Sequence, residues 1–406
     1  MIGRPSPETV DHGDPERIAD AVAARFASRT GRRPDGVWSA PGRVNLVGEH
    51  TDDNGGRCLP IALPHATIAA VGRRGDDRLT AHSDLGEHTF DGPLDRLGPG
   101  DVRGWSAYVA GVVWAARDAG LDVPGLDVEI SSTVPVGAGL SSSAALECSV
   151  GLAVLAAAGV DDDDDARRRL VDICRRAETE VAGAPTGGMD QTISLLARAD
   201  HALLVDFSDP TAAWPETSHR RWSPRSDDVE LVVIDTRAAH ALVDGGYAAR
   251  RRQCERAADL LGVRRLGELT PTDGLAAAAR LGDDVLRRRT RHVVTEIERV
   301  DAVVRALTDH DWAGLGAVLD ASHASLRDDF EVSCPELDVA CAAAVRAGAL
   351  GARMTGGGFG GSAIALVPVE LADAVRRRVA DDFESEGWRP PGFLEAPAMP
   401  GARRIR

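Results

Sequence analysis

The chain of 406 residues contains no lysine, and all 47 of its basic side chains are arginine. That absence excludes a G-x-x-x-x-G-K-[ST] phosphate loop and the strand lysine of protein kinases, so any nucleotide must be held another way. No run of about 18 apolar residues occurs, which excludes a hydrophobic membrane-spanning helix. The opening stretch MIGRPSPETVDHGDPE has neither a basic start nor an apolar core, so a soluble cytoplasmic chain is expected. Six cysteines, Cys58, Cys148, Cys174, Cys254, Cys334 and Cys341, are scattered without a C-x-x-C pair. Buried free thiols are expected, with neither a disulfide frame nor a zinc site. Positive charge is also scarce relative to negative: the net charge of −16 repels phosphate backbones and anionic lipid, which argues against nucleic-acid and membrane partners.

What is present points to a mixed α+β chain. Its length exceeds the size at which one core stops growing, so two domains are expected, and 43% hydrophobic residues can fill both. Strands are expected at residues 36–39, 43–47, 126–131, 202–207, 231–235 and 362–367, where β-branched and leucine-rich runs end in turn residues. Long alanine-, leucine- and arginine-rich stretches between them have helical spacing. Residues 209–228, rich in Pro, Ser, Thr and Trp, read as a linker, which places a boundary near Trp222 and gives domains 1–222 and 223–406. The aspartate run 161–165 suits the start of the helix that follows it, where negative charge is favourable.

Four stretches concentrate chemistry. In APGRVNLVGEHTDDNGG, residues 40–56, alternation breaks at Gly48, so Glu49, His50 and Asp52 sit where a strand opens into a loop. Such a turn either faces water or grips a small polyhydroxylated molecule, each hydroxyl of which wants a donor and an acceptor. In PVGAGLSSSAALECSV, residues 135–150, glycines and serines feed a helix start. Freed N–H groups and the helix dipole there favour an anion, and Ser141, Ser142 and Ser143 add hydroxyls for capping, phosphate or Mg²⁺. In AETEVAGAPTGGMDQTISL, Leu170, Ile173, Cys174, Ala177 and Val181 mark an apolar helix face that leads into it, with Glu178 and Glu180 on its flanks; periodicity does not choose between them. The helix should stop near Gly183, and Asp190 stands in a restart, as a ligand, a proton acceptor or helix decoration. Five glycines between positions 356 and 361 leave a bare backbone suited to close approach or to a tight hairpin, and Tyr247 heads an arginine-rich helix behind Gly245 and Gly246.

Together these stretches resemble the galactokinases, a branch of the kinase superfamily that includes homoserine, mevalonate and phosphomevalonate kinases. The family signature G-R-x-N-L-I-G-E-H-T-D-Y-N stands here as GRVNLVGEHTDDN, P-x-G-x-G-L-S-S-S-A as PVGAGLSSSA, M-D-Q as Met189, Asp190 and Gln191, and the late glycine motif as MTGGGFGG. The resemblance spans residues 42–361. It implies two α+β domains, an N-terminal half of the ribosomal-protein S5-like kind and a C-terminal ferredoxin-like half, with the active site in the cleft between them. It places Glu49, His50, Asp52, Gly187 and Tyr247 on galactose-contacting positions and Asp190 on the general base. Arg43 falls on the partner of that base, an opposite charge that favours the ionised carboxylate and helps stabilise the transition state. Gly137, Gly139, Leu140, Ser141, Ser142 and Ser143 fall on the nucleotide-binding loop, and Ser143 with Glu178 on the Mg²⁺ ligands. The implied reaction is phosphorylation of the anomeric hydroxyl of galactose by ATP, the first phosphorylation step of galactose catabolism, in a cytoplasmic monomer. The chain departs from the pattern at Asp53, where the family carries tyrosine, at Thr186 and Gly188, where it carries cysteine and isoleucine, and at Ser362, where cysteine is common. These leave N-acetylgalactosamine or arabinose open as the sugar, and a non-catalytic sensor or a structural protein as rivals of another kind.

Overall fold

Strands buried on both faces form the centre of the first sheet. The computed structural model describes residues 7–86, 89–238 and 243–406. Six strands, β1 (Gly36–Asn45), β3 (Pro60–Arg73), β4 (Arg78–Ser83), β5 (Phe90–Pro93), β6 (Leu126–Ser132) and β13 (Arg403–Arg404), lie in the order β13-β1-β3-β6-β4-β5. All neighbours are antiparallel except β4 and β6. Val37, Ile68 and Ala70 point to one side, where Ala19, Val22 and Phe26 of helix α1 (Pro15–Thr30) cover them. Trp38, Ala40, Ala69 and Val71 point to the other, under α2 (Ser106–Asp118), α3 (Ser142–Ala157) and α4 (Asp164–Arg176). With both faces covered, β1 is buried along its whole length. The aspartate run does start a helix: Asp163 caps α4 by accepting from the Ala166 N–H.

The second sheet, β9 (Val229–Asp235), β10 (Gly351–Thr355), β11 (Ser362–Pro368) and β12 (Gly392–Glu395), runs antiparallel in the order β10-β11-β9-β12. Val232, Ile234, Ala363 and Ala365 face α6 (Val243–Leu261), α10 (Pro335–Arg346) and α11 (Ala372–Ser385). Leu231, Val233, Ile364 and Leu366 face the other way into a core shared with Val44 and Ile61 of the first sheet, with Leu46 just past β1, and with α8 (Asp284–Asp309) and α9 (Trp312–Ser325). That shared core brings the end of β1 against the β10–β11 turn, which positions the site. A small sheet of β2 (Arg57–Cys58), β7 (His201–Asp206) and β8 (Glu216–Arg221) flanks it, beside α5 (Met189–Leu196).

Three expectations change in detail. The strands expected at 36–39 and 43–47 are one strand whose register shifts between Pro41 and Arg43, because Pro41 has no N–H to pair and Gly42 lies against the Leu140 carbonyl. Strand β3 has no β-branched run to announce it, since Ala, Pro64 and His65 interrupt its pattern; burial on both faces makes it a strand. The stretch expected as linker contains β8, paired along its length with β7, and Trp222 is buried against Trp312. The last residues also return to the first sheet as β13, and Thr9 bridges Phe393.

Candidate active site

A cavity of about 860 Å³ opens where β1, the start of α3, the start of α5, α6 and the β10–β11 turn meet. Arg43, Glu49, His50, Asp52, Gly137, Gly139, Leu140, Ser141, Ser142, Ser143, Glu178, Asp190 and Tyr247 all line it. Gly187 lies just behind, so close that a Cβ there would collide with the Asp52 carboxylate. The residues that the resemblance assigns to the site therefore converge on one place, although they come from positions 43 to 247 of the chain.

Asp190 stands in the first turn of α5, after Gly188 at φ 101°. Arg43 grips it with two parallel bonds, Nε to Oδ1 at 2.9 Å and Nη2 to Oδ2 at 3.0 Å, and its Nη1 donates to the Gly139 carbonyl at 2.6 Å. The planar guanidinium so fixes both carboxylate oxygens and ties them to the glycine loop. The Ser141 hydroxyl also donates to Asp190.

Ser141 precedes α3 in the left-handed region at φ 59° and gives the helix no side-chain cap. The serines are thus not simple N-caps: Ser141 serves Asp190, and Ser143 donates to Glu178. The start of α3 lines the cavity without a side-chain cap, and first-turn N–H groups have no intrahelical partner. Glu178 belongs to a π-helical turn, Ala177–Ala182, and its carboxylate also accepts from Gln191 Nε2 at 2.6 Å, a group that reaches Glu147 at 3.0 Å as well. Burial and then the nearby Asp190 carboxylate push Glu178 up to about 7 against the pull of Ser143. Across the loop the β10–β11 turn presses backbone on backbone: a Cβ at Gly356, where φ is 84°, would stand 2.7 Å from the Gly139 carbonyl. Ser362 donates to the Ala138 carbonyl at 2.8 Å, so the residue that departs from the family's cysteine buttresses the loop.

At the other end, Gly48 at φ 97° turns the chain out of β1 where a side chain would strike the Arg57 carbonyl. Glu49 is buried, taking bonds from Asn45, from Thr355 Oγ1 at 3.0 Å and from the Gly356 N–H at 2.7 Å, beside Arg353 Nη2 at 3.1 Å. Burial still raises its pKa. His50, at φ 62°, packs 4.6 Å from the Phe330 ring and 5.5 Å from Tyr247, and its Nε2 is buried with no partner among the described residues. Burial, reinforced by His292 and Arg353, lowers it to about 3, so the ring is neutral. Asp52 is pushed up to about 8 by burial first and then by Asp53 and Asp190.

Several supporting residues carried no signal in the sequence. Arg353 of β10, fully buried, donates to the Leu46 carbonyl at 3.0 Å and reaches both Glu49 and Glu296. Glu296 of α8 accepts from the Gly48 N–H at 3.0 Å; burial would raise its pKa, but Arg353, His292, Arg299 and Ser322 overcome that and hold it at about 2. Tyr108 and Phe359 line the cavity, and Gln191 and Glu147 back Glu178. Gln191, Phe359 and Glu147 stand within the quoted stretches M-D-Q, MTGGGFGG and PVGAGLSSSAALECSV, but nothing in those patterns gives them these contacts.

The lining sets Glu49, Asp52, Glu178 and Asp190 against one cation, Arg43, among the described residues. An anion entering such a wall needs backbone donors and a cation of its own. Among the described residues no three His, Cys, Asp or Glu side chains converge as a metal cage, and no helix is long and apolar enough to cross a membrane.

This α+β chain carries the domains of the GHMP kinases. Their N-terminal domain matches residues 107–198 and their C-terminal domain residues 303–385, while the galactokinase galactose-binding signature matches residues 24–73. The galactokinase of Streptomyces coelicolor is 48% identical over 96% of this chain and 99% of its own length, and that of Mycobacterium tuberculosis H37Rv 46% over 91% and 99%. The chain belongs to the galactokinase family. The crystal structure of Lactococcus lactis galactokinase complexed with galactose superposes with a TM-score of 0.89 at 31% identity, covering 96% of this chain and 100% of that one. Methanococcus jannaschii mevalonate kinase, at 16% identity and a TM-score of 0.64 over 89% of this chain and 98% of its own, shares the fold.

Proposed function

We propose that the chain transfers the γ-phosphoryl group of ATP to the anomeric hydroxyl of α-D-galactose, giving galactose 1-phosphate and ADP. The carrying observation is one cavity that joins the anion-binding helix start at Ser141–Ser143 to the polar wall of His50, Asp52 and Tyr247 through the paired Arg43 and Asp190. Asp190 accepts the proton of the sugar hydroxyl as the new O–P bond forms, and the bond from the γ-phosphorus to the bridging oxygen breaks to release ADP. Arg43 orients that carboxylate and supplies fixed positive charge where the phosphoryl group passes. Glu49, His50, Asp52 and Tyr247, with Gly187 leaving room for Asp52, hold the sugar. Gly137, Gly139, Leu140 and the three serines hold the phosphates by backbone and hydroxyl donors.

A Mg²⁺ ion fits the residues present. Mg²⁺ takes few protein oxygens beside phosphate and water, and Ser143 with the buried Glu178 is such a pair, in a wall short of positive charge. Bound there with the nucleotide, it would neutralise charge on the triphosphate. The same reading assigns an S5-like half to residues 1–222 and a ferredoxin-like half to 223–406 with the reaction in the cleft between them. It also keeps the protein in the cytoplasm, for which six unpaired cysteines are the support.

The test is a panel of free sugars with ATP and Mg²⁺, reading ADP release and identifying the product by NMR. Galactose phosphorylated at O1 is expected. ADP release with no sugar, or phosphate on another hydroxyl, refutes the assignment.

A further inference from the structure

Position 53, where the resembled signature has tyrosine, carries an aspartate whose side chain is turned away from the cavity and into its wall. Asp53 Oδ2 accepts from the Tyr247 hydroxyl at 2.7 Å, and Oδ1 lies 3.4 Å from Arg251 Nη1 with the side chain 9% exposed. Arg251 is in turn bound to Glu255 one turn along α6 at 3.1 Å. Tyr247 lines the cavity; Asp53 does not. A phenol has one proton to give, and a bond to a charged acceptor is stronger than one to a neutral oxygen. Burial, with Asp53 and Asp52 beside it, holds the Tyr247 pKa well above its usual value, so the proton stays on the phenol.

We propose that Asp53 is a specificity-determining positioning residue: by accepting the one hydrogen bond that Tyr247 can donate, it presents that hydroxyl to the sugar solely as a hydrogen-bond acceptor. This rests on the reading of Tyr247 as a sugar-contacting residue. The sugar must then donate a hydroxyl proton to Tyr247. A substituent that only accepts gains nothing at this point. A neutral side chain at position 53 would free the phenol proton to turn inward and relax that demand.

The experiment is calorimetric titration with the deoxy- and deoxyfluorogalactoses substituted at each of carbons 2, 3, 4 and 6, since fluorine accepts weakly and never donates. Affinity is read, so the effect of fluorine on the reactivity of the anomeric hydroxyl does not enter. Tyr247→Phe identifies the contacted carbon as the one whose deoxy penalty disappears. At that carbon the wild type should bind the fluoro and deoxy analogues alike, within about twofold. Asp53→Leu should bind the fluoro analogue about three- to tenfold more tightly than the deoxy one, the span of one ordinary hydrogen bond. The same substitution placed on Tyr247→Phe should produce no such preference. A wild type that prefers the fluoro analogue by threefold or more overturns the proposal. So does an unchanged ratio in an Asp53→Leu variant that melts cooperatively, or the absence of any carbon sensitive to Tyr247→Phe. The wild-type ratio stands even if Asp53→Leu does not fold. A wild type that phosphorylates no sugar at all removes instead the function on which the proposal rests.

Discussion

Replacing Glu178 by glutamine should stabilise the ligand-free protein at pH 8 and leave it nearly unchanged at pH 5. Glu178 is 7% exposed, and burial, with Asp190 adding to it, lifts its pKa from 4.5 to about 7. The folded state therefore holds a proton that the unfolded chain has released anywhere between those values. Stability falls as pH rises through that window, by about 1.4 kcal/mol for each pH step, or about 3 kcal/mol once pH passes 7. Below pH 4.5 both states are protonated and the cost vanishes. Glutamine carries no charge at any pH, yet keeps an oxygen for Gln191 and an N–H for Ser143, so the variant escapes the cost. The assay is thermal unfolding of both proteins at pH 5, 6, 7 and 8 at constant ionic strength, without nucleotide or divalent cation. The difference in Tm should grow from near zero to on the order of 5 °C in favour of the variant. Asp52, raised to about 8, acts in both proteins and cancels from the difference. Addition of ATP and Mg²⁺ should stabilise the wild type more than the variant and close the gap. A difference that is flat with pH, or that favours the wild type throughout, refutes the electrostatic reasoning.

Asp190→Asn should lower kcat by about 10²- to 10⁴-fold with little change in KM, because the amide cannot accept the sugar proton; near-wild-type turnover removes Asp190 from the chemistry. Asp52→Ala should raise the KM for galactose about tenfold, or relax the choice of sugar, more than it lowers kcat, since it leaves sugar hydroxyls unpaired; unchanged galactose kinetics contradict the placement. Arg353→Met should destabilise the protein by about 3 to 5 kcal/mol in urea unfolding, because it strands the buried Glu49 and Glu296 carboxylates; a loss below about 1 kcal/mol would show that this ion pair does not hold the loop.

Much of the site was legible because its chemistry is local. Gly137, Gly139 and the three serines announce a loop entering a helix by composition alone, and the break in alternation at Gly48 announces the turn that carries Glu49, His50 and Asp52. The choice between Glu178 and Glu180 was not legible from spacing. A π-helical turn inserts one residue per turn and re-aims the side chains, so Glu178 faces the cavity while Glu180 pairs with Arg176 at the surface at 2.8 Å. Strand β3 escaped notice for a related reason: its burial comes from sheets and helices on both sides and not from its own pattern.

Taken alone, the order of residues determined which groups were on hand and which were not. Without lysine, any phosphate must be met by other donors, and the motifs set the proposed base, loop and sugar wall along the chain. Only the folded chain decided how those groups are charged and what each one touches. Asp53 reads as a spare carboxylate in sequence, yet the fold gives its two oxygens to Tyr247 and Arg251. Glu49 reads as a loose turn carboxylate, yet at the cavity wall it is fixed by Thr355, Gly356 and Arg353 from the far end of the chain. Such contacts join residues two to three hundred positions apart. They depend on the core shared by the two sheets, which local spacing does not encode, and that burial also lifts Asp52 and Glu178 and lowers His50.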